Sequence, residues 1–247
     1  MQSSTSQHSN LWINRQEKDN KTVEDAIGHS VEVRESKVAP RILIEEEHHR
    51  SGFYNVVESA LSKIADGPSG RKLINKIHEN STSDKLMLLS FTRELPYTTA
   101  FLTPIQKKKY SSVTGSLERS QKAMQLAEKR FHFFKGEVNS AQIMFHPDIG
   151  IDVDAPGYPK INHVENNTTY LTLTHEMIHG MRILKGTSIA PTGGDEPNSG
   201  RMREEHRIVG IGKRRSPSKN TIRAEHGEPL RLFYRPRMEV RNVSHTD

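Results

Sequence analysis

The sequence is organised around Leu171-Thr172-Leu173-Thr174-His175-Glu176-Met177-Ile178-His179-Gly180, a stretch that contains the pattern His-Glu-x-x-His. On a helix, residues four positions apart lie one above the other, so His175 and His179 share a face. Two neutral imidazoles placed in this way can bind one Zn²⁺, each at roughly 2.0–2.1 Å. Glu176 can take a proton from water, which is the general-base role of this motif in metalloproteases.

The residues around the motif predict that this helix is buried, because a helix that is hydrophobic nearly all round belongs in a protein interior. The chain contains 13 His, so the motif alone is also compatible with a core helix that carries two incidental histidines. The apolar neighbours of the motif are Leu171, Leu173, Met177, Ile178, Met181, Ile183 and Leu184.

Composition excludes several classes of protein. The chain has no cysteine, which rules out disulfides, thiolate metal sites and a cysteine nucleophile, so a zinc site must use histidine and carboxylate ligands. No apolar run approaches the ~18 residues of a membrane-spanning helix, and we expect neither a transmembrane segment nor a secretory signal peptide. The apolar content of 33% predicts one domain with weakly ordered ends.

The positive charge is concentrated near the C-terminus. Residues 201–241 hold 12 Lys and Arg against 5 Asp and Glu, whereas the rest of the chain holds 24 against 25. This segment leaves open a module that binds nucleic acid or an acidic membrane. It lacks the interleaved aromatic residues of single-strand binders and the cysteines of zinc fingers, so we expect no nucleic-acid partner.

Three regions are predicted along the chain. Residues 1–40 are polar and rich in Ser and Gln at their start, which predicts a disordered segment; residues 41–236 form the folded domain, and residues 237–247 are a frayed tail. The uncharged N-terminus resembles the export signals of bacterial type III secretion substrates, and a plain floppy terminus is the alternative. The cluster of Glu45 to His49 is interpreted as a solvated helix start.

The order of elements predicts an α+β fold with a small sheet. Helical spacing predicts helices over 53–64, 73–77, 117–134, 201–210 and 219–225. Apolar runs predict strands over 85–91 and 141–145, with 149–153 pairing beside the second. Residues 103–116 and 156–167 are predicted to be loops. Thr168 or Thr169 caps the motif helix, and Gly186 ends it.

A catalytic zinc of this class takes three protein ligands and leaves one position for water. Without cysteine, the third ligand must be His, Asp or Glu. Glu204 and Glu205 lie on a predicted helix behind a loop that is long enough to return it to the motif. Spacing permits either carboxylate to bind the metal.

Downstream of His-Glu-x-x-His the chain contains Glu-Glu-x-x-x-Val-Gly at 204–210, Asn-x-x-Arg at 220–223 and Arg-x-x-Tyr at 231–234. These four ordered motifs resemble the NleD/XopG/HopH family of bacterial type III effector proteases. In that family, His-Glu-x-x-His is followed by Glu-Glu-x-x-x-Val-Gly, then Asn-x-x-Arg, then Arg-x-x-Tyr. The chain is more distantly similar to the clostridial neurotoxin light chains. It departs from the family pattern at Gly180, where Ala is common, and at Ile208, where Thr is common. The matching segments here are Glu204-Glu205-His206-Arg207-Ile208-Val209-Gly210, Asn220-Thr221-Ile222-Arg223 and Arg231-Leu232-Phe233-Tyr234.

This resemblance implies a zincin-like (gluzincin) zinc endopeptidase. It implies that Glu205 is the third zinc ligand beside His175 and His179, and that Glu204 orients a ligand histidine or Arg207. It also implies that Arg231 and Tyr234 stabilise the oxyanion of the tetrahedral intermediate.

The resemblance extends to partners. It implies injection into a eukaryotic host cell by a type III system and cleavage of a host protein. Relatives cleave mitogen-activated protein kinases in the activation loop, which makes such a kinase the expected substrate. We expect a monomer. A toxin domain that acts between bacteria with the same zinc chemistry is the alternative.

Overall fold

A computed structural model of the chain describes residues 21–46, 51–128, 135–163, 168–189, 196, 199–212 and 216–236. These residues form a six-stranded sheet, a separate two-stranded sheet and seven helices, which is a mixed α+β fold. None of the helices in the described ranges has the length and hydrophobicity that crossing a membrane requires.

The large sheet has the strand order β1-β2-β3-β4-β6-β5. Strands β3, β4 and β6 run parallel, and the other neighbouring pairs are antiparallel. Strands β7 and β8 form the small antiparallel sheet. The strand bounds are β1 Lys21–Glu24, β2 Ser30–Glu35, β3 Ile42–Glu45, β4 Met87–Phe91, β5 Tyr97–Phe101, β6 Ser140–Phe145, β7 Ile149–Val153 and β8 Pro159–His163.

Helices connect the parallel strands, as parallel pairing requires. The first two cross from β3 to β4, and the next two lie between β5 and β6 in the chain. The helix bounds are α1 Phe53–Asp66, α2 Pro68–Asn80, α3 Pro104–Lys109, α4 Ser116–Ala127, α5 Thr169–Leu184, α6 Gly200–Val209 and α7 Lys219–Glu225.

Alternation along the strands separates the core into two layers. Ile42 and Ile44 of β3 face the cluster formed with α1, α2 and α5, whereas Leu43 between them joins a cluster on the opposite face. In β4, Leu89 faces the helices and Leu88 the other layer. The central strands are therefore apolar at successive positions, because both of their faces are covered.

Helix α5 lies directly on this sheet. A Cβ at Gly180 would come within 2.6 Å of the terminal methyl of Met87 and 3.5 Å from Cβ of Ala141. Helix α5 therefore lies close to β4 and β6. An alanine at position 180 would need only a shift of the flexible end of Met87.

The prediction of disorder over residues 1–40 is wrong for residues 21–40, which contain β1 and β2. The two strands form a hairpin whose turn is held by the carboxylate of Asp25, which accepts hydrogen bonds from the main-chain N–H groups of Ile27 and His29. Val33 is fully buried on one face. The apolar alternation in β2 is short, so the pairing of the hairpin with β3 supplies the order that local sequence does not.

Two predicted loops are partly regular structure. Residues 104–109 form α3, because Thr103 and Gln106 make a reciprocal capping box and Pro104 occupies the first turn. Residues 159–163 form β8, which pairs with β7, so β7 does not pair beside β6 as predicted. Glu45 ends β3 rather than beginning a helix.

The other predicted elements are confirmed within the described residues. Helix α5 begins at Thr169 after Thr168, and α6 and α7 lie where the sequence places them. Residues 1–20, 47–50, 129–134 and 237–247 lie outside the described part of the chain, so the export segment, the end of the 117–134 helix and the tail stay predictions.

Candidate metal centre and active-site cleft

Helix α5 presents both histidines on one face. The two rings lie 4.9 Å apart between centroids, at 73° to each other. Almost every side chain of the helix is buried, which fixes its rotation about its axis. The histidines therefore have a defined direction, toward α6.

Helix α6 brings Glu205 to the histidine pair. Its first turn is capped by Ser199, whose hydroxyl accepts from the main-chain N–H of Met202, and it ends at Gly210 in a left-handed conformation. Oε2 of Glu205 lies 3.1 Å from Nε2 of His175, and Oε1 lies 3.3 Å from Nε2 of His179. One donor atom from each of the three residues lies within 4.8 Å of the other two.

Electrostatics within this group are strongly coupled. Burial works to lower the pKa of His179, but the carboxylates of Glu205, Glu176 and Glu204 together raise that pKa to about 9. Burial lowers the pKa of His175, and Glu205 offsets only part of the effect. Burial alone would raise the pKa of Glu205, yet the charge of His179 and the close approach of both imidazoles hold that pKa well below its usual range.

The donor set fits a divalent metal ion. Two imidazole nitrogens and a carboxylate are ligands that Zn²⁺ takes. Oε2 of Glu205 is buried, and although it lies close to His175 it has no aligned hydrogen-bond donor among the described residues. A buried carboxylate oxygen that lacks an aligned donor and faces two imidazole nitrogens is well placed to bind a cation.

We expect metal binding to depend on this pair of histidines. Purified protein should contain about one Zn²⁺ per chain, and His175→Ala combined with His179→Ala should remove it, because one carboxylate cannot hold the ion alone. Elemental analysis after dialysis measures the content. Unchanged zinc in the double variant would place the site elsewhere.

Glu204, the neighbour of Glu205, points to a different partner. Its Oε1 accepts a hydrogen bond from Nε of Arg182 on α5, and both side chains are almost fully buried. The same guanidinium donates to the carbonyl of Thr187. The resemblance implied a ligand histidine or Arg207 as the partner of Glu204. The structure instead shows an ion pair with Arg182, which joins α6 to α5.

Substitution of Glu204 and substitution of Glu205 should therefore have different effects on the protein. Glu205→Gln should weaken zinc retention much more than Glu204→Gln, since the first loses an anionic oxygen that faces both histidines. Glu204→Gln should instead lower the stability of the protein by roughly 1–3 kcal/mol, because buried Arg182 loses its counter-charge. Zinc content and thermal melts of both variants measure this, and the reverse ranking would identify Glu204 as the ligand.

A cleft of about 290 Å³ opens over His175, His179 and Glu205. Glu176 lies in its wall and is only 7% exposed. Strand β5 forms one side of the cleft through Thr98, whose hydroxyl contacts Glu176. Further lining residues are Pro96, Tyr97, Met124, Ile183, Ser188, Arg201 and Tyr234.

Tyr234 and Arg231 occupy different layers of the site. Tyr234 lines the cleft, whereas Arg231 lies behind it with its guanidinium 5.0 Å from the centroid of the Tyr234 ring. Arg231 donates to the carbonyls of Phe233 and Tyr234, which fixes the course of the segment. Burial first, and then the charge of Glu205, raises the pKa of Tyr234 to about 12, so its hydroxyl keeps its proton at neutral pH.

Asn220 and Arg223 anchor this segment, a role that the motif alone did not reveal. Asn220 exchanges two hydrogen bonds with the main chain of Arg231, at 2.7 and 2.9 Å. Arg223 is fully buried and donates to the carbonyls of Pro229, at 3.1 Å, and Ile151 on β7. Their spacing of three positions on α7 places them on one side of that helix, which is the signal that could have predicted a shared target.

Several cations of the basic C-terminal segment lie in the interior. Lys219 and Arg223 are 0% exposed and Arg231 is 5% exposed. Burial lowers the pKa of Lys219 well below its usual range, and that of Arg231 to about 10. Since these charges face the inside of the protein, they cannot contribute to a basic surface that binds nucleic acid or membrane.

Fold and site together define a mixed α+β protein in which two helices bring together a His-His-Glu group that can hold a metal ion. The carboxylate of Glu176 lies in the wall of the adjoining cleft. The chain belongs to the Peptidase_M91 family, described as effector protein, whose model matches residues 42–234. The match covers His175, His179 and Glu205 and the segment that ends at Tyr234, and it confirms the effector peptidase family that the sequence motifs indicated.

Among solved structures, the chain is similar to light chains of botulinum neurotoxins. The type D light chain is 12% identical with a TM-score of 0.43, over 70% of this chain and 52% of that one. The catalytic domain of Clostridium botulinum neurotoxin serotype F is 10% identical with a TM-score of 0.47, over 79% and 59%. The serotype HA light chain is 11% identical with a TM-score of 0.43, over 73% and 55%. The chain thus matches little more than half the length of these light chains. No curated protein matches it.

Proposed function

We propose that the protein is a zinc-dependent endopeptidase of the gluzincin type with a zincin-like catalytic domain. The observation that carries the proposal is the convergence of His175, His179 and Glu205, with Glu176 in the wall of the adjoining cleft. Membership of a peptidase family supports it. Zn²⁺ held by these three residues would supply Lewis acidity, which activates water and polarises a peptide carbonyl.

Each side chain around the proposed zinc site has its own role in the reaction. Glu176 accepts the proton of the attacking water and passes it to the leaving amine, which makes it general base and then general acid. Tyr234 donates its hydroxyl proton in a hydrogen bond to the oxygen that becomes negative during attack. The resemblance implies that Arg231 also stabilises the oxyanion. Its guanidinium contacts the ring and the carbonyl of Tyr234, so we propose instead that it positions Tyr234. Glu204 fixes α6 through Arg182.

The same proposal includes delivery and substrate. The family description as effector protein supports action in a host, and we propose that a type III system delivers the chain. A host mitogen-activated protein kinase, cut in its activation loop, is the proposed substrate, because the four motifs resemble proteases that act in that way. We propose that the protein acts as a monomer.

A toxin that acts between bacteria would use the same chemistry on another target. The two proposals differ in where the protein is harmful. Expression in the eukaryotic and the bacterial cytoplasm, each with Glu176→Gln as the inactive reference, distinguishes them.

Host cell lysate provides the direct test. Lysate is incubated with the protein, with and without a zinc chelator, and new peptide N-termini are mapped by mass spectrometry. The expected result is a chelator-sensitive cut in a kinase activation loop. Cuts in another host protein would retain the endopeptidase and reject the substrate, whereas no chelator-sensitive cut would reject the activity.

A further inference from the structure

Thr98 places its hydroxyl against Glu176. Its Oγ1 lies 2.7 Å from Oε2 of that carboxylate and 3.1 Å from the main-chain O of the same residue. A threonine hydroxyl has one proton to donate. The carboxylate is the shorter contact and carries charge, which makes it the stronger acceptor. The proton of Thr98 is therefore directed to Oε2 of Glu176.

The strand that carries Thr98 is fixed relative to α5. Thr98 pairs across β5 and β6 with Ile143, which is fully buried in the core cluster shared with α5. The distance from Thr98 to Glu176 is consequently set by the packing of sheet against helix. A glutamate side chain without such support samples several rotamers, and ordering it costs entropy at each reaction.

We propose that Thr98 is a positioning residue for the general base. Its hydroxyl holds Oε2 of Glu176 and thereby leaves Oε1 to exchange protons in the cleft. This inference rests on the proposed function, in which Glu176 moves the proton.

The test compares Thr98→Val, which keeps the shape of the side chain, with Thr98→Ser, which keeps the hydroxyl. Thr99→Val is the matched control. Thr99 is also half-buried, but alternation along the strand turns its hydroxyl away from Glu176, and it lies 2.9 Å from Oγ of Ser120 on α4. Cleavage of the peptide mapped from lysate gives kcat and KM, and zinc content and melting temperature are measured on every variant.

Thr98→Val should lower kcat by roughly 10- to 100-fold, the scale on which small misplacements of a reacting group act. KM and zinc content should stay at wild-type values, because the substitution alters the placement of the base. The melting temperature should fall slightly, because the buried carboxylate of Glu176 loses a hydrogen bond. Thr98→Ser should restore most of the rate, and Thr99→Val should match the wild type. Thr98→Ala replaces the valine variant if the latter does not fold.

A crystal structure of zinc-loaded Thr98→Val separates this inference from the proposed function. The carboxylate of Glu176 should be displaced or split between conformers there and single in the wild type. That comparison tests the role of Thr98 even if the wild type cuts no peptide. The absence of cleavage by the wild type would reject the proposed endopeptidase activity and not the role of Thr98. An unmoved carboxylate, a wild-type kcat or an effect confined to KM would overturn the role of Thr98.

Discussion

Glu176→Gln should abolish cleavage while the protein retains its fold and its zinc. Glutamine has the same shape but cannot accept the proton of the attacking water, and the loss of a general base typically lowers kcat by roughly 10²- to 10⁴-fold. The amide oxygen can still accept from Thr98, so the packing of α5 on β5 stays intact. Cleavage rate, zinc content and circular dichroism of wild type and variant measure the effect.

The zinc content of Glu176→Gln shows whether the variant has lost a proton acceptor or a metal ligand. Glu176 is not in the group of three residues whose donor atoms converge, so zinc content should equal that of the wild type. A variant that loses both zinc and activity would instead place Glu176 among the ligands. A variant that keeps wild-type activity would require another proton acceptor in the cleft.

Local sequence was sufficient for the motif helix and the two helices that follow it. His175 and His179 are four positions apart, a spacing that fixes their common face once a helix forms. Ser199 and Ser218 cap α6 and α7, so the helix boundaries are encoded next to the residues that they affect. The length of the segment between the two helices permitted Glu205 to reach the histidines, but spacing alone permitted Glu204 equally.

The partners of the site residues were not predictable in the same way. The contact of Thr98 with Glu176 joins residues 78 positions apart, and that of Arg182 with Glu204 joins residues 22 positions apart. Such contacts follow from strand order and helix packing. Neither of these can be predicted from the periodicity of the sequence. Arg182 lay within the motif helix, where an arginine among apolar neighbours was the available signal of a buried ion pair.

The N-terminal hairpin was missed for a related reason. Strands β1 and β2 are short and rich in charged residues. Their apolar content is therefore low, which is typical of disordered segments. Their stability comes from the pairing of β2 with β3 and from Val33, which belongs to a cluster with Leu43 and Leu88. The hairpin is therefore ordered by the sheet that β2 joins.

The segment that carries Tyr234 is held at several points before it reaches the cleft. The carbonyl of Gly157, in the turn between β7 and β8, accepts from the main-chain N–H groups of Leu232, at 2.9 Å, and Phe233, at 3.2 Å. The ring of Phe233 stacks on Tyr158, 3.9 Å between centroids. This anchoring keeps the Tyr234 ring in place without help from its own hydroxyl.

Tyr234→Phe should therefore remove one hydrogen-bond donor and nothing else. Burial and the nearby Glu205 raise the pKa of Tyr234 to about 12, so the hydroxyl that is lost is a protonated one, able to donate to a developing oxyanion. By analogy with the loss of one oxyanion donor, kcat should fall by roughly 10²- to 10³-fold. KM should change little, because the contact forms mainly in the transition state. Steady-state kinetics on the mapped peptide measure both constants.

Tyr158→Phe is the matched control, because it deletes a hydroxyl from a ring that packs on the same segment while keeping the stack with Phe233. Its kcat should equal that of the wild type, which would assign the loss in Tyr234→Phe to the donor and not to disturbance of the segment. Equal losses in both variants would mean that segment order limits the rate. Near-wild-type turnover of Tyr234→Phe would make Tyr234 a packing residue. The zinc site and Glu176 would then account for catalysis without an oxyanion donor from the C-terminal segment.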